Sequence, residues 1–271
     1  MNRIDKVLTQ LNESKKKMLS PYITAGDPEP GITVSLMHAL VDGGADVLEL
    51  GIPFSDPMAE GPVIQAAMER ALTHGLTTDD VLNMVAEFRT NDSETPIILM
   101  GYLNPIEQYG YEAFIKRAKE AGVDGTIFVD LPPEESETLA PLWEEHGLYP
   151  IYLCSPTTSD ERMTRVNQFG RGYLYYVSLK GVTGSNALDL ESVRNDYCKR
   201  KTQTQLPLMV GFGIKTPKIA AHVAEFSDGV IVGAALVETI NQAYKAQGDC
   251  IEAGKLFIEK MRHAMDETLY P

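Results

Sequence analysis

Three carboxylates lie within one short stretch, and their surroundings differ. Glu49 interrupts an apolar run between Leu48 and Leu50, whereas Asp56 and Glu60 follow in a proline-bearing loop. Because neighbouring side chains of a strand point to opposite faces, Glu49 faces away from both leucines. An apolar flank raises the pKa of a carboxyl group, which can then act as acid and base near neutrality. The alternative is a surface loop with ordinary solvated acids.

Composition and charge exclude several classes of protein. The chain has 271 residues, which is long for one domain but normal for an α/β barrel. Its 24 Lys and Arg against 38 Asp and Glu give a net charge of −14, which argues against a nucleic-acid partner. We see neither a signal peptide nor an apolar run of membrane-spanning length. Three cysteines without motif spacing are typical of a reducing compartment, so we expect a cytoplasmic protein.

Strands and helices that would position the carboxylates alternate along the chain. Short apolar runs predict eight strands, near 18–23, 47–50, 96–101, 126–130, 149–153, 173–178, 208–212 and 230–232. A helical pattern follows each of these runs. One further helix is predicted before the first strand and another at the C-terminus. Such alternation implies parallel strands joined by right-handed crossovers.

A recurring aspartate supports a repeated unit. Asp46, Asp124 and Asp228 each stand just before a predicted strand. We therefore predict a (βα)₈ TIM barrel, in the α/β class, that forms a single domain over 1–271 with extra N-terminal and C-terminal helices. The alternative is a doubly wound open sheet. That fold would need a Gly-rich nucleotide turn after the first strand, and residues 24–28 do not provide one.

Small residues follow the last strands, where such barrels often hold phosphate. Gly213 follows the seventh strand, and Gly233 with Ala234 opens a helix after the eighth, so backbone N–H groups could approach an anion. The loop after the sixth strand contains Thr183 and Gly184 and is small and polar, as a mobile lid would be. Tight turns use the same residues, so each alone is a weak signal.

Aromatic and apolar residues at the strand ends could line a pocket beside Glu49. The candidates for this lining are Tyr22, Met100, Ile127, Tyr175 and Phe212. For any one of them, ordinary barrel core is the alternative. No histidine is predicted at a strand end, which weakens a metal-dependent mechanism. Lys180 does lie close to a strand end, so a Schiff-base aldolase remains open.

Four segments resemble motifs of the tryptophan synthase alpha subunit family. They are PYITAGDP at 21–28, LELGIPFSDP at 48–57, GVTG at 181–184 and GFGI at 211–214, and the second is highly specific. The resemblance covers the whole chain. It implies a (βα)₈ barrel that cleaves indole-3-glycerol phosphate to indole and glyceraldehyde 3-phosphate in L-tryptophan biosynthesis. No metal and no organic cofactor is implied for this subunit.

The resemblance also implies residue roles. The family's catalytic glutamate falls on Glu49, its second carboxylate on Glu60 and its active-site tyrosine on Tyr175. Its phosphate-contacting positions fall on Gly184, Gly213, Gly233 and Ala234. The sequence departs from the family's pattern at three positions: Glu60 stands for the usual aspartate, Leu179 for an arginine that is often present, and Ala234 for a common serine.

A partner is implied as well, a β subunit that carries pyridoxal phosphate and consumes the indole within an α₂β₂ assembly. Two apolar, proline-bearing loops on the active-site rim, at 53–58 and 102–105, are where we expect its docking surface. The residues that we assign to it are Pro53, Phe54, Asp56, Pro57 and Asn104. Two further alternatives remain. One is a stand-alone lyase, and the other is a catalytically weak subunit that only regulates its partner.

Overall fold

A computed structural model describes residues 1–178, 190–211 and 213–269 of the chain. Several predictions concern residues outside this range: Leu179, Lys180, Thr183, Gly184 and Phe212. Within it, no helix is both long enough and apolar enough to cross a bilayer.

Nine parallel strand segments form one sheet. Their bounds are β1 Met18–Thr24, β2 Leu48–Gly51, β3 Ile97–Gly101, β4 Gly125–Phe128, β5 Tyr149–Pro150, β6 Leu153–Cys154, β7 Leu174–Val177, β8 Leu208–Gly211 and β9 Gly229–Val232. Their order in the sheet is β5-β4-β3-β2-β1-β9-β8-β7-β6. The two outermost segments, β5 and β6, are separated by only two residues of the chain. One extended segment therefore pairs with both ends of the sheet, which closes it into a ring of eight staves.

Helices surround this ring. Their bounds are α1 Arg3–Glu13, α2 Thr33–Asp42, α3 Pro62–Thr73, α4 Thr78–Phe88, α5 Leu103–Tyr109, α6 Tyr111–Ala121, α7 Ser136–His146, α8 Asp160–Phe169, α9 Leu190–Lys201, α10 Pro217–Ala224, α11 Ala234–Lys245 and α12 Cys250–Leu269. The predicted (βα)₈ barrel with additional terminal helices is thus confirmed. The sequence shows a single helical pattern after the third strand, but the chain forms two helices there, α5 and α6, because Gly110 turns the backbone at φ 91°.

The alternation of β2 separates two apolar layers. Leu48 and Leu50 belong to the layer between sheet and helices, whereas Val47 belongs to the cluster that fills the barrel. Glu49 points the same way as Val47. Ile4 and Leu11 of α1 also belong to the barrel cluster, so this helix closes the amino-terminal end of the ring.

The recurring aspartates stabilise that amino-terminal end. Asp46 accepts the N–H of Leu19 at 2.8 Å, and Asp228 accepts the N–H of Leu208 at 2.8 Å. In each case the aspartate precedes one strand and bonds the start of the adjacent one, as does Asp124. The repeated sequence pattern therefore corresponds to a repeated contact between staves.

Candidate active site

Glu49 lies inside the barrel with 0 % of its surface exposed. Its Oε1 accepts a hydrogen bond from the Tyr173 hydroxyl at 2.8 Å and another from the Ser20 hydroxyl at 3.2 Å. Its buried Oε2 has no partner among the described residues. Burial raises the pKa of Glu49 to about 7, although the two hydroxyl donors act in the opposite direction. Protonated and ionised forms are therefore both accessible near neutral pH.

The loop between β2 and α3 carries Glu60. Its backbone is held in place because the N–H of Ala59 donates to the Tyr102 hydroxyl at 3.1 Å. Gln65 of α3 donates its side-chain amide to the Glu60 carbonyl at 2.8 Å. Burial raises the pKa of the Glu60 carboxyl to about 7. A second carboxyl group thus titrates in the same pH range as Glu49.

Tyr175 of β7 lies close enough to both carboxyl groups to be affected by their charges. Its pKa is raised well above the ordinary value, first by burial and then by the charges of Glu49 and Glu60. Burial and the charge of Glu60 likewise raise the pKa of Tyr22. The four residues therefore face one common interior at the carboxyl ends of the strands.

Two glycines make room for these tyrosine rings. A Cβ placed on Gly51 would overlap the hydroxyl of Tyr22. A Cβ on Gly211 would overlap the ring and hydroxyl of Tyr175 in the same way. The tyrosines lie over adjacent strands only because those strands end in glycine.

The structure places two residues of the predicted apolar wall, Met100 and Ile127, in the barrel interior. Met100 is 9 % exposed and Ile127 is 0 % exposed, and both belong to the barrel cluster that contains Tyr22 and against which Tyr175 packs. Phe54 is partly buried against the same cluster. The lining beside the carboxyl groups is therefore aromatic and aliphatic, as an indole-sized ring would require.

The predicted phosphate positions lie at the two described turns. Gly213 has φ 81°, in the left-handed region that favours glycine. Gly233 precedes α11, and Ala234 is the first residue of that helix. The free N–H groups of this first turn favour an anion. Across the described residues, no three His, Cys, Asp or Glu side chains are grouped as metal ligands would be.

The predicted partner residues differ in exposure. Asp56 and Asn104 are exposed and Pro57 is partly buried, whereas Pro53 is buried. Phe54 packs on the Tyr102 ring, with centroids 5.4 Å apart. Asn104 lies within α5 rather than in the predicted loop. Met58, in the same loop as Asp56, is a large apolar side chain that is 79 % exposed.

Sequence reasoning missed three residues of the site. Tyr173, rather than Tyr175, donates to Glu49, and Ser20 donates beside it. Tyr102 accepts the loop N–H near Glu60. The available signal was alternation, since Tyr173 and Tyr175 share a face of one predicted strand. Ser20 and Tyr102 offered no signal beyond their place in a strand or at its end.

The barrel and its carboxyl groups indicate one kind of enzyme. A closed parallel barrel carries one buried and one half-buried carboxyl group, both with raised pKa values, at the carboxyl ends of its strands. This is the arrangement of a TIM-barrel enzyme that uses carboxyl groups for acid–base chemistry.

Comparison with known proteins identifies the family. The family model for the tryptophan synthase alpha chain matches residues 8–266. The tryptophan synthase alpha chain of Legionella pneumophila strain Philadelphia 1 is 68 % identical over 266 residues, which are 98 % of each chain. That of Methylococcus capsulatus is 51 % identical and covers 98 % of this chain and 100 % of its own.

Solved structures agree. The crystal structure of the alpha subunit from Legionella pneumophila strain Paris has a TM-score of 0.95 at 65 % identity, covering 98 % of this chain and 99 % of that one. Tryptophan synthase from Mycobacterium tuberculosis, in an aminoacrylate-bound form, has a TM-score of 0.86 at 29 % identity, with 98 % and 100 % covered. The chain belongs to the tryptophan synthase alpha chain family. It is a carbon–carbon lyase that cleaves indole-3-glycerol phosphate.

Proposed function

We propose that Glu49 carries the proton in this cleavage. The observation that supports it is the carboxyl group itself, buried inside the barrel with Oε1 held by two hydroxyls and Oε2 unpartnered among the described residues. Since its pKa is about 7, it can give and take a proton at neutral pH.

The reaction then proceeds as a retro-aldol cleavage. Protonated Glu49 transfers its proton to C3 of the indole ring, and positive charge develops on the indole nitrogen. The resulting carboxylate accepts the proton of the side-chain hydroxyl as the carbon–carbon bond breaks. The bonding electrons return to the ring, the hydroxyl carbon becomes the aldehyde, and Glu49 is again protonated.

Other residues stabilise and orient the substrate. Glu60 accepts the indole N–H and stabilises the positive charge on the ring. Tyr175, which faces both carboxyl groups, orients the substrate between them. Tyr22, Met100 and Ile127 enclose the ring. The phosphate binds to backbone N–H groups; the described positions for it are Gly213, Gly233 and Ala234.

The decisive experiment is indole release from indole-3-glycerol phosphate, measured with and without a β subunit. We expect slow release by the chain alone and faster release in its presence. Substrate binding without any indole release would instead mean a regulatory subunit. Equal release in both conditions would mean a stand-alone lyase. Borohydride trapping on Lys180 in the presence of substrate would indicate a Schiff-base mechanism.

The partner that we propose is a β subunit that carries pyridoxal phosphate, docked on the active-site rim in an α₂β₂ assembly. Exposed Asp56 and Met58 on the loop that also carries Glu60 support this surface. Docking would fix the position of Glu60 and would seal the mouth of the barrel, so that apolar indole passes between subunits without loss.

Asp56→Ala tests this surface, because it removes a rim charge and leaves the carboxyl groups of Glu49 and Glu60 in place. We expect a weaker complex and less activation by the β subunit, with the slow cleavage by the isolated chain intact. Activation equal to that of the unmodified chain would place docking elsewhere or show that Asp56 takes no part.

A further inference from the structure

Ser20 is a polar side chain in an apolar part of the barrel. It lies on β1 with 0 % exposure, and its Cα partner on β9 is Ile231. Met18 and Tyr22, two residues before and after it, both belong to the barrel cluster. Ser20 therefore faces the same interior. A buried hydroxyl is costly there unless it forms a hydrogen bond.

The partner of this hydroxyl is Glu49. Ser20 donates to Oε1 at 3.2 Å, and Tyr173 donates to the same oxygen at 2.8 Å. The two donors come from distant parts of the chain, 29 and 124 residues from Glu49. Both act on one oxygen, while the buried Oε2 receives no hydrogen bond from the described residues. This arrangement distinguishes the two oxygens of the carboxyl group.

We propose that Ser20 is a positioning residue that, together with Tyr173, holds Oε1 of Glu49, so that Oε2 exchanges the proton with the substrate. The inference rests on the proposed role of Glu49 as proton carrier. Ser20 acts through Glu49, by fixing the plane of the carboxyl group, and its hydroxyl also forms a hydrogen bond with the Tyr173 hydroxyl. Misplacement of a reacting group is costly in rate even when binding is unaffected.

Proton transfer at Glu49 depends on the groups that face it. Tyr173 and Tyr175 have pKa values raised well above the ordinary value, by burial and by the charge of Glu49. Both phenols therefore stay protonated through the neutral range. The charge of Glu60 also raises the pKa of Tyr175, and the pKa of Glu60 itself is about 7. Ser20 is neutral, and its hydrogen bond favours the ionised form of Glu49.

Ser20→Ala is the test, with kcat, KM and the pH dependence of kcat/KM as readouts. We expect kcat to fall about tenfold with KM nearly unchanged, since only the proton carrier is disturbed. The inflection in the pH profile of kcat/KM that reflects ionisation of Glu49 should shift to higher pH by about one unit, because a hydrogen-bond donor to the ionised form is lost. Ser20→Thr, which keeps the hydroxyl, should restore the profile.

A matched control is Ser227→Ala. Ser227 is also 0 % exposed, and its hydroxyl donates to the Gly229 carbonyl at 3.0 Å, away from Glu49. The Ser227→Ala substitution should leave the pH profile of kcat/KM unchanged. The inference is overturned if Ser20→Ala retains the wild-type kcat and pH inflection, or if both alanine variants lose kcat alike without moving the inflection. Should Glu49→Gln cleave normally, the proposed function itself would fail, which is a different result.

Discussion

Two buried carboxylates at opposite ends of the barrel have opposite surroundings. Asp124, 3 % exposed at the amino-terminal end, forms ion pairs with Arg3 and Arg89, both at 2.9 Å. It also accepts the N–H of Ile97 at 2.9 Å. Glu49, 0 % exposed, accepts hydrogen bonds from two hydroxyls among the described residues, both on one oxygen.

A structural carboxylate differs from a reactive one in the charge of its partners. Two guanidinium groups compensate the charge of Asp124, so the group binds adjacent staves together. Glu49 has neutral partners, so burial makes its ionised form costly and its proton exchangeable. The number of hydrogen bonds matters less than the charge of the groups that form them.

The largest effect is expected at the reactive end. Glu49→Gln keeps the shape and removes the exchangeable proton. We expect cleavage to fall by about 10²- to 10⁴-fold, with folding and binding of phosphorylated ligand retained. Steady-state indole release and circular dichroism check this. Retention of roughly 10 % or more of the activity would contradict the role of Glu49, since general acid–base catalysis contributes far more than that.

Substitution of Asp124, at the amino-terminal end of the barrel, should lower the stability of the fold rather than the rate of cleavage. Asp124→Asn removes the counter-ion of Arg3 and leaves Arg89 with the more distant Asp92, 3.8 Å away. Breaking such a buried network costs about 3 kcal/mol. Denaturant unfolding measures this, and cleavage per folded molecule should stay near wild type. The control is Glu94→Gln, whose partner Lys6 lies 3.7 Å away on the surface, and it should cost less than about 1 kcal/mol. Equal losses of stability in both variants would show that the buried ion pairs of Asp124 contribute no more than a surface ion pair.

Substitution of Glu60 tests whether cleavage needs a second carboxyl group with a pKa near 7. Glu60→Ala should lower kcat roughly 10- to 100-fold, because the positive charge on the ring loses its acceptor. Glu60→Asp should retain or improve cleavage, since aspartate is the usual residue of the family. Normal cleavage by Glu60→Ala would make this loop acid an ordinary charge.

A smaller and more selective effect is expected at the phosphate turn. Gly213→Val should raise the KM for indole-3-glycerol phosphate about tenfold while barely changing the binding of free indole. Valine is also strained at φ 81°, so a control with the same strain is needed. Gly147→Val, at φ 63° after α7, provides it. If both ligands weaken equally, the turn is structural only.

Sequence reasoning reached the barrel and Glu49 because both depend on local patterns. Alternation places Glu49 opposite Leu48 and Leu50, and the recurring aspartates mark the staves. It did not reach the partners of these carboxyl groups. Arg89 and Tyr173 meet Asp124 and Glu49 from 35 and 124 residues away, and only the closed ring brings them together.

One measurement tests most directly whether Glu49 is the group that titrates near neutrality. Infrared difference spectra of wild type against Glu49→Gln, recorded across pH, isolate the protonated carboxyl band of Glu49. The band should be present at acid pH and disappear with a midpoint near the pKa of about 7. A midpoint near the ordinary glutamate value of 4.5 would mean that Glu49 is already ionised at neutral pH, and the account of its reactivity would be contradicted.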